Sequence, residues 1–374
     1  MAIVRGGLGF VNGRRGCSGG LWPPVFISKD RRSEAAATTP PPIDKPYAAP
    51  HNRHMDFPRR LKCSLIALLS AAALAAAPLL ACAAGSAPPP PSSSGRPPVL
   101  GIAHVALITS DLSGVRHFYT DILGFDEAFD VKLPVSHLDV CFFKVNDHQY
   151  IEVYAEPTGP NEDSLLNIAF ETTSAAAMRA YLVRHGVRDA GSVEHGVDGD
   201  LEFSLTDPNG HVIQFVQYLP DSLTGRHKGE DLSPRRVSSE IIHAGLIVQN
   251  RAADDAFYKD ILGFKVMWYG GMKDGETDWV DMRVPNGTNW LEYMLNVKDF
   301  SRRTLGVNHH LALGVPSVAA AAKTLSARGY KPIKPQIGRD GKWQLNLYDP
   351  DGTRVELMEP RPVRTPCCSP MHLP

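Results

Sequence analysis

The chain of 374 residues is long enough for two or three domains, and its 43% hydrophobic and 21% charged residues are ordinary for a soluble globular protein. A formal net charge of -1 excludes a nucleic-acid binder held mainly by phosphate contacts. The cysteines (Cys17, Cys63, Cys82, Cys141, Cys367 and Cys368) are too scattered for a disulfide framework or a Cys-based zinc site.

Residues 1–54 mix Gly, Pro, Arg and Ala without periodicity and read as disordered, or as sequence upstream of a true start at Met55. From Met55 the pattern changes. Arg59, Arg60 and Lys62 are followed by an apolar run over 63–80 and the small-residue stretch "ACA" at 81–83. This order predicts a signal peptide over residues 55–84. One alternative is a membrane anchor, since the apolar run is about long enough to span. Another is lipid attachment at Cys82, within "LLAC". The Pro/Ser-rich linker at 85–98 favours cleavage. The expectation is an exported protein (periplasmic, secreted or lipid-anchored) that meets a membrane only through this leader or Cys82.

The remainder is a repeat. "HVALITSDLSGVRHFYTDILGF" begins at His104, and "HAGLIVQNRAADDAFYKDILGF" begins at His243. Each reads as a strand, a turn and a helix bearing Phe-Tyr. Each ends in Leu-Gly-Phe, with Gly124 or Gly263 where a helix end wants a left-handed residue. The turns "DPNG" and "DPDG" recur later in each copy, at Asp207 and Asp349. Two copies of one domain are therefore predicted, at 99–220 and 238–360, with a charged linker over 221–237 and a tail over 361–374. Each copy is itself double, because strand-then-helix patterns restart at "LLNIAF" and "HHLALG". Each half reads as a strand, a helix and three strands.

This pattern, carried by "FYKDILGF" and "DPDGTRVELME", resembles the vicinal oxygen chelate superfamily over about residues 99–360. That superfamily includes glyoxalase I, extradiol dioxygenases, and fosfomycin and bleomycin resistance proteins. The resemblance implies an α+β fold of two tandem domains, each an incomplete cupped barrel of two βαβββ units. It also implies metal ligands from the first and last strands of each unit.

In the second copy those strands offer His243, Glu292, His310 and Glu356. Period-two alternation sets Glu356 and Met358 against Val355 and Leu357, and Glu292 and Met294 against Leu291 and Tyr293. Both carboxylates interrupt apolar strands, and a buried unpaired carboxylate costs several kcal/mol, so a cation is expected beside them. The expected cofactor is one divalent metal (Zn, Ni, Fe(II) or Mn) held by two imidazoles and two carboxylates. His309 competes with His310; aligning "HLAL" with "NIAF" favours His310. The equivalent positions of the first copy are His104, Glu152, Asn167 and Gln214, which read as a degenerate site. If units paired across copies instead, His104 and Glu152 could join His310 and Glu356 in a complete set.

The ligand set resembles glyoxalase I, which implies Lewis-acid stabilisation of a developing enolate and a glutamate as base. Glu356 and Glu292 are the candidates, Glu356 the first choice. An extradiol dioxygenase with an iron(II) triad is the alternative, although the usual residues before its last strand are missing from "GKWQLNLYDPDG". A non-catalytic small-molecule binding or resistance protein is the third reading. Candidate pocket residues are Trp268, Trp279, Arg283, Trp290, Met294 and Trp343. The expected partners are a small substrate with vicinal oxygens and a second copy of the chain as a homodimer.

Overall fold

The computed structural model describes residues 95–157, 163–331 and 334–373. The leader expected over 55–84, with Cys82, lies outside them. Among the described residues no helix is long and apolar enough to cross a membrane.

The first copy contains β1 (Val99–Ile108), β2 (Asp126–Lys132), β3 (Asp139–Asn146), β4 (Gln149–Tyr154), β5 (Leu165–Thr172), β6 (Glu194–His195), β7 (Leu201–Thr206) and β8 (Val212–Gln217). The second contains β9 (Ile241–Ile247), β10 (Lys265–Gly270), β11 (Trp279–Arg283), β12 (Trp290–Met294), β13 (His310–Gly314), β14 (Gln336–Ile337), β15 (Trp343–Tyr348) and β16 (Arg354–Met358). They form two eight-stranded sheets of identical order, β2-β3-β4-β1-β5-β8-β7-β6 and β10-β11-β12-β9-β13-β16-β15-β14. Among the described residues no strand crosses between sheets, so units pair within a copy and the mixed ligand set does not form. In each unit the first strand lies parallel to the last, as in β9 with β12 and β13 with β16. The two first strands meet antiparallel at the centre, as in β9 with β13. The ligand positions therefore fall on four adjacent strands.

Alternation divides each strand between two environments. Leu291, Tyr293, Val355 and Leu357 join a core shared by both copies. The residues between them face the cup. The helix over Leu112–Arg116 widens into π-helical turns at His117–Ile122, and that over Arg251–Asp254 widens at Asp255–Ile261. The wider turn lets adjacent aromatics both turn inward: Phe118 and Tyr119 are buried, as are Phe257 and Tyr258. Gly124 (φ 81°) and Gly263 (φ 78°) reverse the chain in the left-handed region.

The copies are stitched by equivalent amides. Gln149 accepts from Ile241 N at 2.8 Å and donates to Ile241 O at 2.9 Å, while Asn289 accepts from Ile102 N at 3.1 Å. All are buried. Replacing Gln149 by Ala leaves the Ile241 amide without its partner, and the expected loss is about 1–3 kcal/mol. A urea melt reads this directly; an unchanged midpoint would show that the amide stitch contributes nothing.

Candidate metal centre

β9, β12, β13 and β16 deliver His243, Glu292, His310 and Glu356 to one point on the inner face of the second cup. His243 Nε2 lies 3.1 Å from His310 Nε2. Glu356 Oε2 is 3.5 Å from His310 Nε2 and 3.8 Å from His243 Nε2. Glu292 Oε2 is 3.4 Å from His310 Nε2. His243, His310 and Glu356 form the tightest group, with ligand atoms all within 4.8 Å of one another. Nitrogens bound at 2.0–2.1 Å to a common ion stand about 3 Å apart, so the imidazole spacing fits a shared metal.

Tautomer and charge fit as well. His310 Nδ1 donates to Asn308 O at 2.7 Å, which leaves Nε2 with its lone pair toward the cluster. Burial, then Lys342 and Arg354, holds His243 well below the usual imidazole range; burial and Arg354 do the same to His310. Both rings are therefore neutral, as ligands must be. Burial pushes Glu292 up to about 7 and Glu356 up to about 8. Glu356 Oε1 is buried without a hydrogen-bond partner. These carboxyls lack positive charge that a divalent ion would supply.

The sequence reading misses the surrounding charges. Asp281 pairs in register with Glu292 on β11, and burial raises it well above the carboxylate range. Lys342 is fully buried, 3.4 Å from Asp340 and 4.3 Å over the Trp290 ring. Arg354 lies against His310, with Nη2 3.0 Å from Nε2. Fully ionised, the carboxylates of Asp281, Glu292, Asp340 and Glu356 outnumber the cations Lys342 and Arg354 by two, the charge of one divalent metal. Arg354 and Asp281 were detectable in principle, since each shares strand parity with a ligand or its cross-strand neighbour.

The pocket candidates divide. The Trp290 ring lies 5.0 Å from that of His243, tilted by 36°. Met294 Sδ is 3.7 Å from Arg354 Nη2. Trp279 and Arg283 sit opposite Met294 and Trp290 in register and share their face. Trp343 does not belong to the cup: it packs on the main core with Leu345 and Leu347, the opposite parity from Gln344 and Asn346. Trp268 is covered by the tail, with its Nε1 donating to Cys367 O at 3.1 Å. His309 points away, to Asp163 Oδ2 at 3.0 Å.

In the first cup His104 Nδ1 pairs with Glu152 at 2.7 Å, and Nε2 contacts Asn167 Oδ1 at 3.0 Å. Beside Gln214 stands Glu202, a carboxylate the sequence did not single out. Burial opposes protonation of His104, but Glu152 outweighs it and raises the ring to about 9. Burial and then Glu152 raise Asp198 to about 8 and Glu202 to about 7. The stabilisation from His104 is full below its ordinary 6.5 and lost as pH rises through about 9. The raised carboxyls cost stability over the same rise. The urea midpoint should fall between about pH 6.5 and 9, and Glu152→Gln should flatten that fall. A midpoint that climbs with pH contradicts this assignment.

Two tandem eight-stranded half-barrels of identical strand order, the second with a His/Glu cluster on its central strands, define the class of fold. The family model for the Glyoxalase/Bleomycin resistance protein/Dioxygenase superfamily matches residues 101–215 and 240–357, and the chain belongs to that superfamily. No curated protein sequence matches it. Among solved structures, a single-residue variant of homoprotocatechuate 2,3-dioxygenase from B. fuscum in complex with HPCA is similar at TM-score 0.55 and 20% identity, covering 74% of this chain and 75% of that one. The anaerobic substrate complex of homoprotocatechuate 2,3-dioxygenase from Brevibacterium fuscum, with 3,4-dihydroxyphenylacetate, gives 0.53 and 19%, covering 74% and 85%. The 2,3-dioxygenase LapB from Pseudomonas sp. KL28 gives 0.54 and 16%, covering 73% and 98%.

Proposed function

We propose that the chain is a metal-dependent enzyme whose single working site lies in the second copy and acts on a small substrate through two adjacent oxygens. The observation that carries this is the convergence of His243, His310, Glu356 and Glu292 in a cup short of positive charge. A divalent metal there would supply Lewis acidity to the substrate oxygens. His243, His310 and Glu356 would hold it. Glu292 touches only His310 within the set, and its side chain is 14% exposed against 4% for Glu356. That favours Glu292, over the first choice from sequence, as the group that moves a proton between adjacent substrate carbons. Trp290 walls the cup and Lys342 offsets part of its carboxylate charge.

This is the glyoxalase-like lyase or isomerase reading. An extradiol ring-cleaving reaction is the second, favoured by the resemblance of the two-domain fold to dioxygenases that bind HPCA and 3,4-dihydroxyphenylacetate. In either reading the first copy is structural, and the enzyme works outside the cytoplasm, as the leader-like residues 55–84 suggest.

The deciding experiment screens the metal-loaded protein with catechols under an oxygen electrode and with dicarbonyls and hydroxy-ketones by absorbance. Isomerisation without oxygen uptake, lost in Glu292→Gln, is expected. Oxygen uptake with catechols selects the second reading. No turnover in a loaded protein leaves a binding protein.

A further inference from the structure

The last described residues lie along the edge of the second sheet. Tyr269 N donates to Ser369 Oγ at 2.9 Å, that hydroxyl returns a bond to Tyr269 O at 2.8 Å, and His372 N donates to Met267 O at 2.9 Å. The segment runs along β10, an edge strand, and sets Met371 on the cluster of Ile242, Met267, Trp290, Ala312 and Met358 in the cup.

At the head of this strap two adjacent thiols meet a loop carboxylate. Cys367 Sγ is 3.1 Å from Asp274 Oδ1, and the ligand atoms of Asp274, Cys367 and Cys368 all lie within 4.8 Å of one another. Cys368 holds φ at 76°, a left-handed conformation unusual for a residue with a β-carbon, which accompanies the grouping of adjacent sulfurs. Zinc–sulfur bonds of about 2.3 Å place sulfur ligands about 3.8 Å apart, so this grouping has the scale of one coordination sphere. A cation already gathers it: Arg339 Nη2 is 2.6 Å from Cys367 Sγ and 2.5 Å from Asp274 Oδ1. Arg339 Nε bonds separately to Gly271 O at 2.9 Å, which holds the guanidinium beside the thiols until a metal ion displaces it. Thiolates select soft or borderline ions over magnesium or calcium.

We propose that Asp274, Cys367 and Cys368 form a second cation site for a thiophilic divalent ion, and that its occupation fastens the tail across the second cup. As two metal–sulfur bonds form, two thiol protons leave to solvent and Arg339 turns away. This site is separate from the His/Glu centre and stands whether or not that centre is catalytic.

The test is a titration of the full, reduced chain with cadmium chloride, followed by the ultraviolet thiolate-to-cadmium band. The parent should bind one more cadmium per chain than Cys367→Ser/Cys368→Ser, with the band absent in the variant. Asp274→Asn, on an exposed loop, should weaken the site at least tenfold and leave the His/Glu centre loaded. Cadmium should also slow trypsin cleavage after Arg364. No band at stoichiometric cadmium, or equal stoichiometry in the double variant, overturns the proposal. So does a disulfide between the two cysteines whose reduction restores the thiols without cadmium uptake.

Discussion

His310→Ala should reduce bound metal from about one per chain to a trace, and turnover should fall with it by about 10³-fold or more. His310 is the hub of the centre: its Nε2 contacts His243, Glu356 and Glu292 within 3.5 Å. Alanine removes one ligand and leaves two carboxylates that burial already keeps from ionising freely. A metal's stabilisation of transition-state charge is worth several kcal/mol, and about 4 kcal/mol is about 10³-fold. Two other buried imidazoles act as controls. His309→Ala loses a bond to Asp163 outside the cup. His104→Ala breaks the pair with Glu152 in the other copy. Both should keep the metal. Glu356→Gln, nearly isosteric, tests the same centre if the alanine variant folds poorly. Stoichiometric metal in His310→Ala would move the site elsewhere.

The repeat made the fold readable, because strand, helix and turn signals recur and check one another. Parity then placed Glu292 and Glu356 on a common face, since a strand that buries Leu291 and Tyr293 must present Glu292 to the other side. What escaped lay where no pattern repeats. Lys342 and Asp340 stand at a turn entering β15, and only three-dimensional closure brings Lys342 against Trp290. Trp343, a pocket candidate, shares its parity with Leu345 and Leu347 and packs with them on the core. The π-helical turns alter hydrogen-bond register without altering the apolar pattern, so sequence shows only a helix. The tail reads as a tail because its bonds to β10 run partly through the Ser369 side chain and depend on no strand pattern of its own. Cys367 and Cys368, read as unrelated to metal, meet Asp274 only through that strap.

Gly245→Ala should weaken metal binding by at least about 100-fold through a single methyl group. Gly245 faces His310 across β9 and β13, and an added Cβ there would fall deep inside the van der Waals radii of Cε1 and Nδ1 of the imidazole. No flexible side chain separates the two, so the ring must leave its position. The first copy shows how the same backbone accepts the methyl: the equivalent cross-strand pair is Ala106 with Asn167, where a smaller amide replaces the imidazole. Ala at this register thus suits the sheet but excludes the ligand. The expected result is a cost of about 1–3 kcal/mol from overpacking, with metal affinity down at least about 100-fold. Gly245→Ala/His310→Asn should recover stability and still bind no metal, which separates lost ligation from lost folding. Isothermal titration beside a urea melt reads both. Wild-type affinity in Gly245→Ala would mean that the imidazole binds from another rotamer, and that the glycine is not what admits the metal.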